Sequence, residues 1–180
     1  NTSIIKIVYK ILRKYKLKNI VLDPVMIAKG GTKLINNSSI INLKKLLLPL
    51  CTLVTPNIPE AEVLTGYSIS SKEDMIKAAK KILNMGSKNV LLKSGHLKNK
   101  MIFDVLATKK GIKIFKKRKI RTKNTHGTGC TLSSALSTCL SQKKSIKKSC
   151  QISLKYVEKA IISAPGFGKG FGPLNHLVSF

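Results

Sequence analysis

The segment Asn124–Thr125–His126–Gly127–Thr128–Gly129–Cys130–Thr131 is where the chain carries its densest potential for chemistry. A Gly-x-Gly turn here runs straight into a predicted helix. Glycines permit a tight turn, and the first-turn N–H groups of a helix have no partner within it. Those donors and the positive end of the helix dipole suit a phosphate. Cys130 falls in that first turn, where a thiol ionises more readily. An anion hole beside a tunable base is what phosphoryl transfer to an alcohol needs. The same residues also fit a glycine turn capped by Thr125 or Thr128, with Cys130 as a small buried hydrophobe. The segment is not a P-loop, because GxxxxGK[ST] is absent.

A second group follows three short apolar runs. Asn57-x-x-Glu60 puts an amide and a carboxylate on one helical turn, and both are hard oxygen donors suited to Mg²⁺. They equally form a helix cap with a dipole-favoured acid. Asp23 is a further metal-side acid, or simply a turn-starting Asp before Pro24. Lys93, just after an apolar strand, fits a phosphate as a point charge. The tail Gly166–Phe167–Gly168–Lys169–Gly170–Phe171–Gly172–Pro173 allows close backbone approach to a flat ligand. It also fits a flexible terminus, or stacking of single-stranded nucleic acid on Phe167 and Phe171.

The elements that must position these residues alternate in type. Residues 3–15 place Ile4, Ile5, Val8, Ile11, Leu12 and Tyr15 on one helical stripe. NIVLD (19–23), TLVT (52–55) and NVLLK (89–93) read as buried strands. Pro24 to Lys33 is a loop with a break at Gly30–Gly31. Helices are expected over 40–48, stopping at Pro49, and over 57–64, closed by Gly66. Ser70 and Glu73 signal a capping box for the helix that ends at Gly86. A β-hairpin is expected over 101–107 and 112–117, around Lys109–Lys110–Gly111. Helices follow from Thr128 to about Leu140 and from about Ser145 to Ser163. Strands alternating with helices predict an α/β fold: a mainly parallel sheet covered by helices on both faces, with ligands at the carboxyl ends of the strands. Asp23, Asn57, Glu60, Lys93 and Ser94 would line that rim. No repeat or linker divides the chain, so one domain over 1–180 is expected.

Composition narrows the function classes. The 180 residues are 43% hydrophobic and 23% charged, enough apolar material for a core and against general disorder. No apolar run approaches the ~18 residues of a bilayer span, so no membrane partner is expected. The net charge is +27, from 34 basic and 7 acidic residues. That invites a nucleic-acid-binding reading. Yet only Arg13, Arg118 and Arg121 are arginine, the better base reader, and the lysines are spread along the whole chain. Compositional drift explains such a surface better, and nucleic acid is not expected as a partner. Cys51, Cys130, Cys139 and Cys150 form no CxxC pair, and His96, His126 and His176 show no zinc spacing. Free thiols in a reducing cytoplasm are expected.

Five segments in order resemble the hydroxymethylpyrimidine/phosphomethylpyrimidine kinases of thiamine biosynthesis, in the ribokinase-like superfamily. They are VLDPVMIAKGG (21–31), LVTPNIPEAEVLTG (53–66), VLLKSGHL (90–97), TKNTHGTGCTLSSAL (122–136) and GFGKGFGPLNH (166–176). The resemblance implies a ribokinase-like three-layer α/β/α fold and a kinase using ATP and Mg²⁺. Its substrate would be 4-amino-5-hydroxymethyl-2-methylpyrimidine, then the monophosphate. Cys130 would be the catalytic base, where plain ribokinases usually carry Asp, and Gly127 to Cys130 the anion hole. Asp23 and Glu60 would serve the metal, Asn57 and Lys93 the nucleotide phosphates, and Val25 the pyrimidine. Gly168, Lys169 and Gly170 would border the adenosine pocket. A cytoplasmic homodimer is implied. Pyridoxal kinase of the same superfamily is the alternative activity.

The chain departs from that family in two places. Members run to roughly 260 residues, so the first strands of the sheet and most pyrimidine contacts are expected to lie outside these 180 residues. Lys29–Gly30–Gly31 stands where Lys-Ser-Gly is more usual.

Overall fold

Three runs with apolar side chains on both faces become neighbouring parallel strands, as such runs do when helices cover the sheet. They are β1 (Val21–Leu22), β2 (Leu53–Val54) and β3 (Asn89–Leu92), with Val21 opposite Leu53 and Val54 opposite Val90. Two longer strands, β4 (Met101–Thr108) and β5 (Gly111–Arg118), complete the order β1-β2-β3-β4-β5 among the described residues. β4 runs antiparallel to β3, with Leu92 opposite Val105. The computed structural model describes residues 1–27, 32–95 and 101–180, in two compact units, 1–117 and 118–180. The Gly30–Gly31 break, the Lys29 departure and His96 lie outside the described residues.

The first unit packs helices α1 (Thr2–Lys14), α2 (Asn37–Asn42), α3 (Ile58–Thr65) and α4 (Lys72–Asn84) with the sheet. α4 turns Met75, Ala78, Ala79 and Ile82 inward, all fully buried. Burying a side chain such as Ile82 or Met75 contributes about 1.5–3 kcal/mol. The predicted hairpin forms. At its turn the Thr108 hydroxyl accepts the Lys110 N–H at 3.1 Å and donates to the Gly111 carbonyl at 3.1 Å. β5 alternates exposed lysines with half-buried apolar residues, as suits a strand at the sheet's edge.

Two expectations need correction. The helix expected to stop at Pro49 instead loosens into a π turn over Leu43–Leu47 and a 3₁₀ turn over Leu48–Leu50. Proline is tolerated there because a chain entering a new turn needs no N–H from it. The capping box of α4 is Ser71 with Asp74, one residue later than Ser70 with Glu73. Asp74 wins because its carboxylate also accepts the Ser70 N–H and hydroxyl. On α1, only Ile5 of the apolar stripe is buried, while Ile4, Val8, Ile11 and Tyr15 stay exposed.

The second unit is built on α5 (Thr128–Ser141) and α6 (Ile146–Ile162). Leu132, Leu136 and Cys139 of α5 and Cys150, Leu154 and Val157 of α6 form its buried seam. Small residues such as Ala135, Ser153 and Ala160 let the two helices come close. The tail returns along them: the Asn175 N–H donates to the Ala160 carbonyl at 3.0 Å, and Leu174 is buried. No helix of the described residues is long and apolar enough to cross a membrane.

Candidate functional site

In the first unit the carboxyl ends of β1, β2 and β3 point the same way, so the residues after them gather on one rim. Asp23 follows β1, Asn57 follows β2, and Lys93 follows β3. The Lys93 N–H donates to the Pro56 carbonyl at 2.9 Å, which places Lys93 beside Asn57 as a parallel bridge. Lys93 Nζ lies 3.1 Å from Asp23 Oδ1, and the Thr55 hydroxyl donates to that same oxygen at 3.2 Å. Both charged side chains are largely buried, so losing either partner leaves an uncompensated charge at a cost of about 3–5 kcal/mol.

Asn57 and Glu60 form the cap that the sequence left open as one of two readings. Asn57 Oδ1 accepts the Glu60 N–H at 3.0 Å, and Glu60 Oε2 accepts the Asn57 N–H at 2.8 Å. Glu60 is only 3% exposed. Burial pushes its carboxyl above the usual carboxylate range, against the pull of the Asn57 N–H and the Lys93 charge, and Asp23 adds to the rise. Two carboxylates near one lysine, with an amide oxygen at the same helix start, form a hard-oxygen donor set. That chemistry fits Mg²⁺, which takes one or two carboxylates and keeps waters. Val25 is exposed on the following loop, its N–H donating to the Asp23 carbonyl at 2.9 Å. Ser94, expected on the rim, is turned inward and 1% exposed.

In the second unit Gly127 is the N-cap of α5, at φ +82°. That left-handed conformation favours glycine, and glycine brings no side chain to occupy the first-turn amides. Thr128 does not cap either, because its hydroxyl donates back to the Thr125 carbonyl at 3.2 Å. Of the four free cysteines, Cys51, Cys139 and Cys150 are buried and Cys130 is exposed. Cys130 is therefore not the small core hydrophobe of the alternative reading. Gly127 and Cys130 line a cavity of about 420 Å³. Tyr156, His176 and Phe180 line it as well, and the Tyr156 and Phe180 rings pack 4.9 Å apart. Nothing in their local sequence marks those three for the cavity, since an isolated ring in a helix or tail looks like any packing residue. Gly168, Lys169 and Gly170 are exposed and do not line this cavity.

The glycine tail is pinned at its far end. The His126 N–H donates to the Gly172 carbonyl at 3.1 Å, and His126 bridges Pro173. A Cβ on Gly172 would collide with the Asn124 side-chain amide and sit 3.2 Å from the Phe167 carbonyl oxygen, whereas one on Gly170 meets nothing within 4 Å. Gly172→Ala is therefore expected to release the tail, raising trypsin cleavage after Lys169 by about tenfold, the scale of ~1–3 kcal/mol of overpacking. Gly170→Ala should leave that rate unchanged. Mass-resolved digestion of both variants checks it, and equal rates would mean the tail is not held through Gly172.

A glycine-capped helix start with an exposed thiol, and a rim pairing NxxE with a strand-end Asp and Lys, are the combination that the sequence resemblance rested on. Residues 1–175 match the model of a family described as phosphomethylpyrimidine kinase. The chain belongs to the phosphomethylpyrimidine kinase family. It is 39% identical over 177 residues to the hydroxymethylpyrimidine/phosphomethylpyrimidine kinase of Bacillus subtilis, covering 98% of this chain and 65% of that protein. It is 44% identical over 168 residues to a thiamine biosynthesis bifunctional protein of Geobacter sulfurreducens, covering 93% of this chain and 34% of that protein. Among solved structures, an ADP complex of Bacillus subtilis pyridoxal kinase superposes with a TM-score of 0.89 at 31% identity, over 98% of this chain and 66% of that one. The fold is thus the ribokinase-like α/β fold of these vitamin kinases. The chain spans about a third to two thirds of the length of these curated relatives.

Proposed function

We propose that residues 1–180 are the larger part of one ribokinase-like kinase domain. It transfers phosphoryl groups from ATP to 4-amino-5-hydroxymethyl-2-methylpyrimidine and then to the monophosphate, giving the diphosphate for thiamine biosynthesis. The observation that carries this reading is the exposed Cys130 at an uncapped helix start on an open cavity. Relatives named for that activity support it. Cys130 takes the proton of the substrate hydroxymethyl group as its oxygen attacks the γ-phosphorus, the bond to the β–γ bridging oxygen breaks and ADP leaves with that oxygen. The amides of Thr128, Gly129 and Cys130 meet the charge spread over the transferred group's oxygens. Such a reaction is mostly positioning and charge stabilisation, with little covalent work for the protein. Lys93 holds a nucleotide phosphate as a point charge, with Asn57 beside it, and Val25 touches the pyrimidine. Gly168, Lys169 and Gly170 border the adenosine. Asp23 and Glu60 would hold Mg²⁺, which neutralises phosphate charge when bound. The working form is a cytoplasmic homodimer.

Pyridoxal is the second acceptor to weigh, because the likeness to a pyridoxal kinase structure runs over 98% of the chain. The decisive measurement is ATP consumption by the protein expressed from its complete reading frame, with each alcohol in turn. The pyrimidine is expected to be preferred by at least ~10-fold in kcat/KM, about 1.4 kcal/mol. Preference for pyridoxal would reassign the substrate. Turnover of neither, with tight binding of single-stranded nucleic acid at physiological salt, would restore the charge-based reading.

A further inference from the structure

Asp104 is a buried acid that neither rim nor cavity uses. It sits in the apolar run MIFDVLAT of β4 and is 3% exposed, in a chain with only seven acids. The antiparallel register of β3 and β4 is paired up to Leu92 and Val105. Continued by two residues, it would set Lys93 opposite Asp104 and Ser94 opposite Phe103. At that point side chains replace the backbone ladder. Asp104 Oδ1 accepts the Ser94 N–H at 3.1 Å, and the Ser94 hydroxyl accepts the Phe103 N–H at 2.8 Å. The other carboxylate oxygen lies 3.6 Å from Lys117 Nζ on β5. Two short side chains thus satisfy the ladder while the backbones part. On the other side of β3, the Lys93 N–H donates to the Pro56 carbonyl and its ammonium reaches Asp23.

We propose that Asp104 is a positioning residue for Lys93: it fixes the point at which β3 leaves β4 and so aims the ammonium at the nucleotide phosphates. This rests on the kinase reading, in which Lys93 holds a phosphate. A carboxylate buried in a sheet is expensive unless it is paired and hydrogen-bonded. An apolar residue would fill the strand at less cost but could not accept the Ser94 N–H. The Lys117 ammonium offsets part of the charge, which is why the strand pair tolerates it.

The test compares ATP with adenosine, which has no phosphates, in calorimetric titrations of the full-length protein. Asp104→Ala is expected to weaken ATP binding by about tenfold, the scale of one buried hydrogen bond, while adenosine affinity stays the same. Asp104→Asn keeps the acceptor for Ser94 and nearly the same volume, so it should recover most of the ATP affinity. It also serves if the alanine variant does not fold. Equal losses for ATP and adenosine, or unchanged ATP affinity beside a lowered Tm, would overturn the proposal. So would failure of the asparagine variant to recover ATP binding. A wild-type protein that binds ATP yet phosphorylates neither alcohol overturns the substrate reading alone, with Asp104 still decided by the affinities. One that binds no ATP overturns both.

Discussion

Cys130→Ala is expected to lower alcohol phosphorylation by ~10²-fold or more, the range for loss of a general base, while Tm stays within a degree or so. The two readouts separate because the side chain is exposed and its removal opens no core cavity. Serine should not rescue, since an alcohol is far more weakly acidic than a thiol and stays protonated. Aspartate should restore part of the rate, because a carboxylate can accept a proton from the same first-turn position. Chemical modification gives an independent check. Cys51, Cys139 and Cys150 are buried, and burial pushes the Cys51 thiol up to about 12. A thiol alkylating agent applied to the native protein should therefore label one site, Cys130, and abolish turnover in step with labelling. Bound ATP or pyrimidine should slow that labelling. Wild-type rates in the alanine variant would remove Cys130 from the mechanism. Labelling of a second cysteine in step with inactivation would assign the loss elsewhere.

What sequence could and could not reveal follows from how far each signal reaches. Short-range signals were readable. The parallel strands, the αL glycine that closes α3 at Gly66, and the hairpin at Lys109–Gly111 depend on residues a few positions apart. So did the family, because its motifs are contiguous. The errors arose where two local solutions were nearly equivalent. Ser70–Ser71–Lys72–Glu73–Asp74 holds two capping boxes offset by one, and only the extra bonds from Ser70 to Asp74 decide between them. The stripe on α1 announces an apolar face but not what covers it, and Ile4, Val8, Ile11 and Tyr15 remain exposed. Asp104 has no role in the sequence reading because its partners, Ser94 and Lys117, lie 10 and 13 residues away. The signal was present in another form: a single acid inside an otherwise apolar strand must be paired or it would not be kept there.

Glu60→Gln offers the second large effect, and it tests whether Glu60 does more than cap a helix. Glutamine is as good as glutamate in a capping box, so the bond from the Asn57 N–H survives the change. Glu60 is buried, and its folded carboxyl titrates above the ordinary value, chiefly through desolvation. The native state therefore holds the proton more tightly than the unfolded chain. By linkage, the contribution of Glu60 to stability is present at low pH and declines as pH rises through the window above the ordinary glutamate value. The variant lacks that decline. Without metal, its Tm should match the wild type near pH 4 and exceed it at pH 8. Activity should move the opposite way. Replacing a metal-side carboxylate by an amide is expected to cost ~10–100-fold and to raise the Mg²⁺ concentration needed for half-maximal rate. Thermal melts across pH and Mg²⁺ titrations of rate check the two halves separately. A variant that melts lower at every pH, with an unchanged Mg²⁺ requirement, would reduce Glu60 to a cap. A gain in stability joined to a loss of metal affinity would show that this carboxylate is kept charged, against the preference of its surroundings, for the ion it serves.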